Sequence, residues 1–486
     1  MTQRTPLSVL IIGAGFGGVG MAIRLTQAGV RDFVVVEKGD GPGGTWRDNT
    51  YPGAACDIPS HLYSFSFEPK TDWSRRYPSQ GEILDYLRHC VRKYRLEPHI
   101  RYGTAVTSAE YGDEAGVWTV RTESGDDYRA RVVVSACGQL NRPRYPDLPG
   151  REDFAGTAFH SARWRHDHDL TGRRVAVIGT GASAIQFIPP VAEQAERTYV
   201  FQRSAPYVIA KPDRPYGTTE RTLLRAMPGL RALTRGWQYA QHEARAVGFV
   251  TFTRALRPYE AGFRRRLGKE VPDPERRRAL LPDYPIGCKR VLISNDFYPA
   301  MNRPDVELVT DPIERLSADG VVTADGTYAV DTVIYGTGFQ ATDFLAPMKI
   351  IGRGGAELAE TWRSGAHAYL GLAVSGFPNM FLLYGPNTNL GHNSIIYMLE
   401  SQFRYVLGCL DLMRRTGLRA LEVRPEVADA YDRRLRRLFG RTIWDQGCTS
   451  WYKTADGRIT NNWPGYTFAY RRRTRRPDPE AFLAQA

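Results

Sequence analysis

Short apolar runs rich in β-branched residues alternate along this chain with glycine-rich turns and with stretches at helical spacing. Residues 9–12 predict a strand, 13–18 a tight turn, 19–27 a helix and 33–36 a second strand, which together make a βαβ unit. The same plan recurs over 175–178, 179–184, 185–194 and 198–201. Between the two units, 105–134 is rich in Thr, Val and turn residues and predicts a small antiparallel sheet with a hairpin turn at 124–126. The proline-rich 143–150 predicts a linker. From about 219 to 280 Leu, Ala and Arg fall at helical spacing, which predicts a helical insertion. Strands are expected again at 291–294, 306–309, 332–335 and 380–384, then a helix over 394–410 and a polar, basic tail. The doubled unit predicts an α/β fold with two Rossmann-like dinucleotide-binding domains, the second carrying the helical insertion.

Composition narrows the class without naming a function. A chain of 486 residues with 42% apolar and 24% charged residues is that of a globular protein of two or three domains. No apolar run approaches the roughly 18 residues of a membrane span, and residues 1–7 show no export signal. The six cysteines contain no CxxC pair, so neither a disulfide framework, a thiol-redox centre nor a zinc site is expected, and a cytoplasmic setting fits. The net charge of +13 is spread along the chain, with one cluster at 471–476. No nucleic-acid-binding module accompanies it. Membrane attachment through that cluster would rest on charge alone, so a solvated tail is expected and neither nucleic acid nor membrane is a partner.

The glycines carry the chemistry. Gly13, Gly15 and Gly18 stand in GxGxxG, after a strand and before a helix, where they let a pyrophosphate approach the backbone at a helix N-terminus. Glu37, about 20 residues on, is placed to accept hydrogen bonds from ribose hydroxyls. The second unit has Gly179, Gly181 and Ala184 in the same pattern, with Ser183 in the turn. Its second strand ends in Arg203-Ser204 instead of an acid, so a 2′-phosphate is accepted and NADPH is favoured over NADH. The alternative is a solvated Arg203 beside an NADH site. Two such sites imply electron traffic: the first holds FAD, which stays, and the second NADPH, which exchanges. The expected division is 1–150 FAD domain, first part; 151–170 linker; 171–210 NADPH domain, first part; 211–285 insertion; 286–345 NADPH domain, second part; and 346–486 FAD domain, second part, with the tail. Disulfide reductases share this plan but need a cysteine pair beside the flavin, and none is spelled out locally.

Several further motifs stand in order. Residues 154–164 fit FxGxxxHxxxW through Phe154, Gly156, His160 and Trp164; Gly43, Gly44, Thr45 and Trp46, continuing to Tyr51, Pro52, Gly53 and Asp57, fit GGxW...YPGxxxD; and 336–339 form a GTGF turn. With these the chain resembles the flavin-dependent monooxygenases of the Baeyer-Villiger type over nearly its whole length. One departure is Arg165, where members usually have Pro or Asp.

The resemblance implies oxygen insertion beside a ketone carbonyl to give an ester or lactone, with O2 captured by reduced flavin as a C4a-peroxide. It makes Arg290 the cation beside the flavin and Asp57 the carboxylate that orients it, both catalytic, and gives Lys289 to the 2′-phosphate of NADPH. Gly44, Thr45 and Trp46 belong to the cofactor site, as do His160 and Trp164 of the linker, His160 coupling domain movement to retention of the nicotinamide nucleotide. The competing readings are a solvated Lys289-Arg290 pair and a turn-capping Asp57. Other outcomes are N- or S-oxygenation by the same flavin, and a flavin reductase that transfers no oxygen. The partners expected are a small ketone and O2, with the chain as monomer or homodimer.

Overall fold

The computed structural model describes residues 5–485; of the N-terminal stretch 1–7, residues 1–4 lie outside the described residues. The first glycine turn follows the strand Leu7–Ile12, which pairs in parallel with Phe33–Val36 on one side and Asp127–Ser135 on the other. Ile100–Arg101 extends that parallel edge, while Val117–Thr122 and Val106–Gly112 add antiparallel strands beyond Asp127–Ser135. The hairpin between Thr122 and Asp127 encloses the expected turn at 124–126. Two strands from far along the chain complete the sheet: Lys349–Ile351 beside Val106–Gly112, and Met380–Leu382 beside Asp127–Ser135.

A second sheet is wholly parallel, in the order Val306–Val309, Arg197–Phe201, Arg174–Ile178, Thr332–Tyr335, Thr157–His160. Its central strands are apolar on both faces and buried, as a parallel sheet covered by helices requires. A three-stranded antiparallel flap, Ile313–Ser317, Gly320–Thr323 and Gly326–Ala329, was not expected; its strands are too short to stand out by periodicity. Each glycine turn opens a helix, Phe16–Gln27 in the first unit and Ala184–Gln194 in the second. Gly20 of the first lies against the long helix Ile395–Thr416, where a Cβ would come within 2.5 Å of the Phe403 ring.

The stretch 218–279 is helical, chiefly Thr218–Ala226, Pro228–Ala246, Arg257–Glu270 and Pro274–Ala279. The C-terminal segment is ordered where a loose tail is expected: Thr467–Arg473 is a helix that buries Thr467 and Tyr470, the Tyr470 hydroxyl donates to the Leu370 carbonyl at 2.7 Å, and Arg472, Arg475 and Arg476 of the basic cluster remain exposed to solvent as expected. The last described element is Phe482–Gln485, paired antiparallel with Ala420–Val423. The cysteine reading is also corrected, since Cys288 and Cys448 form a disulfide across 160 residues, a pairing no local spacing announces.

Candidate active site

The first glycine turn is built by close approach. A Cβ on Gly18 would lie 1.8 Å from the Gly13 carbonyl oxygen, so only glycine lets helix and strand pack there. Gly15 faces Gly44 of the GGTW segment, whose Cβ would sit 3.2 Å from the Gly15 Cα, and Gly43 N–H donates to the Ala14 carbonyl at 2.9 Å. The backbone of Thr45–Asp48 is thereby held against the turn. Gly15 caps the helix without a side-chain acceptor, leaving first-turn N–H groups for a pyrophosphate. Glu37, buried, accepts from Ala14 N–H and Gly39 N–H at 2.8 Å each and from Arg47 at 3.0 Å. A carboxylate has about four acceptor positions, so room for a ribose hydroxyl remains.

The second turn repeats the arrangement: a Cβ on Gly179 would meet the Gly336 carbonyl oxygen at 2.6 Å, and Ser183 caps its helix without using its hydroxyl. Arg203 and Ser204 are exposed, and Arg203 has no ion pair among the described residues. Lys289 joins them, its Nζ donating to Ser204 Oγ at 3.0 Å while lying 4.2 Å from the centre of the Tyr284 ring. Burial lowers the Lys289 pKa, with Arg203 pushing in the same direction and Asp283 opposing. Neighbouring cations with no ion pair of their own among the described residues suit a doubly charged phosphate.

Asp57 and Arg290, 233 residues apart, meet side by side: Arg290 Nε donates to Asp57 Oδ2 at 2.9 Å and Nη2 donates to the same oxygen. The Arg290 Nη1 points to the Leu390 carbonyl at 3.5 Å. The charge of Asp57 raises the Arg290 pKa despite burial, so the guanidinium stays charged. The two side chains keep 26% and 30% exposure, enough to reach a ligand. Tyr452, buried beside them, has its hydroxyl pushed up to about 12 by burial, with Arg290 pulling it back.

Side-chain contacts tie the segment before Asp57 to the second unit and to the linker. Gln186, on the second unit's helix, receives the Tyr51 hydroxyl at 3.1 Å and donates to the Ala55 carbonyl at 3.0 Å, clasping the segment that ends in Asp57. His166 shares a 2.8 Å hydrogen bond with Thr50 Oγ1. Trp46 Nε1 donates to the Tyr63 hydroxyl at 3.2 Å within the first unit. The sequence reading missed Gln186, His166 and Tyr452, none of which lies in a recognisable pattern.

In the linker, His160 is buried with both ring nitrogens engaged: Nε2 donates to the Gly338 carbonyl at 3.0 Å and Nδ1 accepts from Ala162 N–H at 3.1 Å. Burial pulls its pKa down to about 4. Trp164 packs edge-on to Phe159 and against Phe187 of the second unit's helix. Arg165 turns to solvent and pairs with Asp167 at 2.7 Å, away from this packing. Cys288 is buried two residues before Arg290, and its disulfide ties that segment to the C-terminal region.

The family described as pyridine nucleotide-disulphide oxidoreductase matches residues 10–222. A Baeyer-Villiger monooxygenase of Pseudomonas aeruginosa is 44% identical, over 99% of this chain and 93% of that protein. Among solved structures, an oxidised steroid monooxygenase bound to NADP is 33% identical with a TM-score of 0.89, covering 99% of this chain and 100% of that one. OTEMO in complex with FAD and NADP is 29% identical with a TM-score of 0.89, covering 97% of each chain.

Proposed function

Because the chain belongs to the Baeyer-Villiger monooxygenase family, we propose that Arg290, held by Asp57, carries the insertion of an oxygen atom beside a ketone carbonyl to give an ester or lactone. The protein is a flavin-dependent monooxygenase with FAD and NADPH as cofactors. FAD, reduced by NADPH, supplies the activation of O2.

The chain's own residues bind, orient and shield. Gly13, Gly15, Gly18, Gly44 and Thr45 form the pyrophosphate cradle of FAD, and Glu37 takes its ribose. Gly179, Gly181 and Ser183 do the same for NADPH, with Arg203, Ser204 and Lys289 on the 2′-phosphate. Trp46 packs beside the flavin site. Arg290 turns directed N–H donors toward the oxygen of the substrate carbonyl, where negative charge develops. Asp57 fixes the guanidinium plane, so little reorganisation is needed at the moment of reaction. His160 and Trp164 are positioning residues that hold the linker on the second unit.

The observation that carries this reading is the Asp57–Arg290 contact, a fixed cation with part of its surface open. One chain holds both cradles and this pair, so a monomer or a homodimer suffices, and the cytoplasm supplies NADPH and O2, with the Cys288–Cys448 bond shielded from its reductants by burial of both cysteines. Product analysis with a ketone and a sulfide of matched size tests the ketone preference. Ester formation should dominate across the working pH range; sulfoxide as the dominant product would move the protein to heteroatom oxygenation.

A further inference from the structure

Among the described residues, the helix Pro228–Ala246 is built inside out. Its buried positions are Gln238, His242, Glu243 and Ala246, three of them polar. The Glu243 carboxylate receives Asn393 and Thr467, and His242 bonds the His392 carbonyl, so these polar groups are tied into the protein and fix which face points inward. The opposite face is an apolar stripe at spacings of three and four: Leu230, Leu233, Trp237, Ala240, Ala244 and Val247. All but the half-buried Leu230 are exposed, with Leu233 at 70% and Trp237 at 64%. A helix on a globular protein ordinarily shows the reverse, and a contiguous exposed apolar face marks a contact surface.

The stripe has company. Leu223, Met227, Phe252 and Tyr259, from the flanking parts of the insertion, are also exposed by 45% or more. So is Phe468, whose segment is bonded to the insertion through Thr467 to Tyr239 and Tyr466 to Thr251. Charge selects the occupant. Residues 218–279 hold 14 Lys and Arg against 6 Asp and Glu, a net +8 of the chain's +13. Arg225, Arg254 and Arg257 are exposed and carry no ion pair among the described residues. A second copy would bring the same positive field against itself, whereas exposed Trp, Phe and Leu flanked by Arg225, Arg254 and Arg257 match an anionic lipid interface.

We propose that the exposed face of the insertion, centred on Leu233 and Trp237, is a docking surface for an anionic phospholipid membrane. No helix of the described residues is long and apolar enough to cross a bilayer, so attachment is peripheral. It is independent of the residues assigned to catalysis and stands or falls apart from them.

The test is cosedimentation of the FAD-loaded protein with vesicles of phosphatidylcholine alone and of phosphatidylcholine mixed with phosphatidylglycerol. The protein should pellet with the mixed vesicles, stay in solution with phosphatidylcholine alone, and be released by raising ionic strength. Leu233→Ser/Trp237→Ser should cut partitioning at least tenfold, and Arg225→Ala/Arg257→Ala should weaken it and flatten its salt dependence. Unchanged FAD content, Tm and turnover of a water-soluble ketone establish that each variant is folded. Three results would overturn the proposal: wild-type protein that pellets with neither vesicle, a double serine variant that partitions like wild type, or a lipid-free dimer that this variant dissociates, which would assign the face to a second copy.

Discussion

The imidazole of His160 donates through Nε2 to the carbonyl of Gly338 at 3.0 Å, joining the linker fingerprint to the GTGF turn 178 residues later. The bond needs neutral imidazole, because Nδ1 is already an acceptor for Ala162 N–H. His160 shares its condition with three other buried histidines: burial lowers His61 and His242 to about 4 and His392 to about 3. Unfolded histidine titrates near ~6.5, so between that value and about 4 the unfolded chain binds protons the folded chain refuses. Stability from these groups is therefore complete above the unfolded pKa and is lost as pH falls through the window. Tm should drop steadily on acidification below about 6.5, and His160→Asn should make the slope shallower. A Tm that is flat or rising over that range would contradict the assignment.

Arg203 faces solvent beside Ser204 and Lys289 with no carboxylate of its own. A hydrogen bond to a charged group contributes about 1.5–3 kcal/mol, a factor of roughly 10–100 in affinity. Arg203→Ala should raise the KM for NADPH by that factor in flavin reduction and leave the KM for NADH within a few-fold. Equal losses for both nucleotides would remove Arg203 from the 2′-phosphate.

Gly18 admits no side chain, since a Cβ would meet the Gly13 carbonyl oxygen at 1.8 Å, whereas a Cβ on Gly81 meets nothing within 4 Å. Gly18→Ala should yield protein that loses FAD on gel filtration or fails to fold. Gly81→Ala, inside the helix Gln80–Lys93, should keep FAD and hold or raise Tm slightly, because alanine is the better helix former. An FAD-replete Gly18→Ala variant would overturn the close-packing account.

The Cys288–Cys448 bond closes a loop of 160 residues. Cross-links of such span stabilise by about 2–4 kcal/mol in typical cases. Cys448→Ser, or reduction with dithiothreitol, should lower Tm by several degrees. Intact-mass measurement after alkylation under denaturing conditions should find four reactive thiols, corresponding to Cys56, Cys90, Cys137 and Cys409. Six would show that the bond does not form.

What could be read from the sequence divides along physical lines. The glycine turns were legible because steric demand restricts those positions to glycine and the flanking strand and helix periods confirm the context, as at Gly18 and Gly179. Arg203 was legible because charge at a strand end has a direct meaning for a nucleotide. Asp57 and Arg290 lie 233 residues apart, and only the family resemblance paired them. Gln186 and His166 bridge elements through single hydrogen bonds that leave no period, and Cys288 finds Cys448 through tertiary placement alone. The apolar stripe from Leu230 to Val247 has a helical period, but period cannot say which face looks outward. That depended on the buried partners of Glu243 and His242.

Arg290→Ala bears most directly on the central claim, that a guanidinium fixed by Asp57 is required for oxygen insertion and not for electron transfer. Single-turnover reduction of the flavin by NADPH, followed by oxygenation with a ketone present, separates the two steps in one sample. Reduction should keep its wild-type rate while ester or lactone yield falls about 100-fold or more, the scale seen when a preorganised donor is removed, with NADPH oxidation ending in hydrogen peroxide. Ester formation at the wild-type yield in Arg290→Ala would contradict the account.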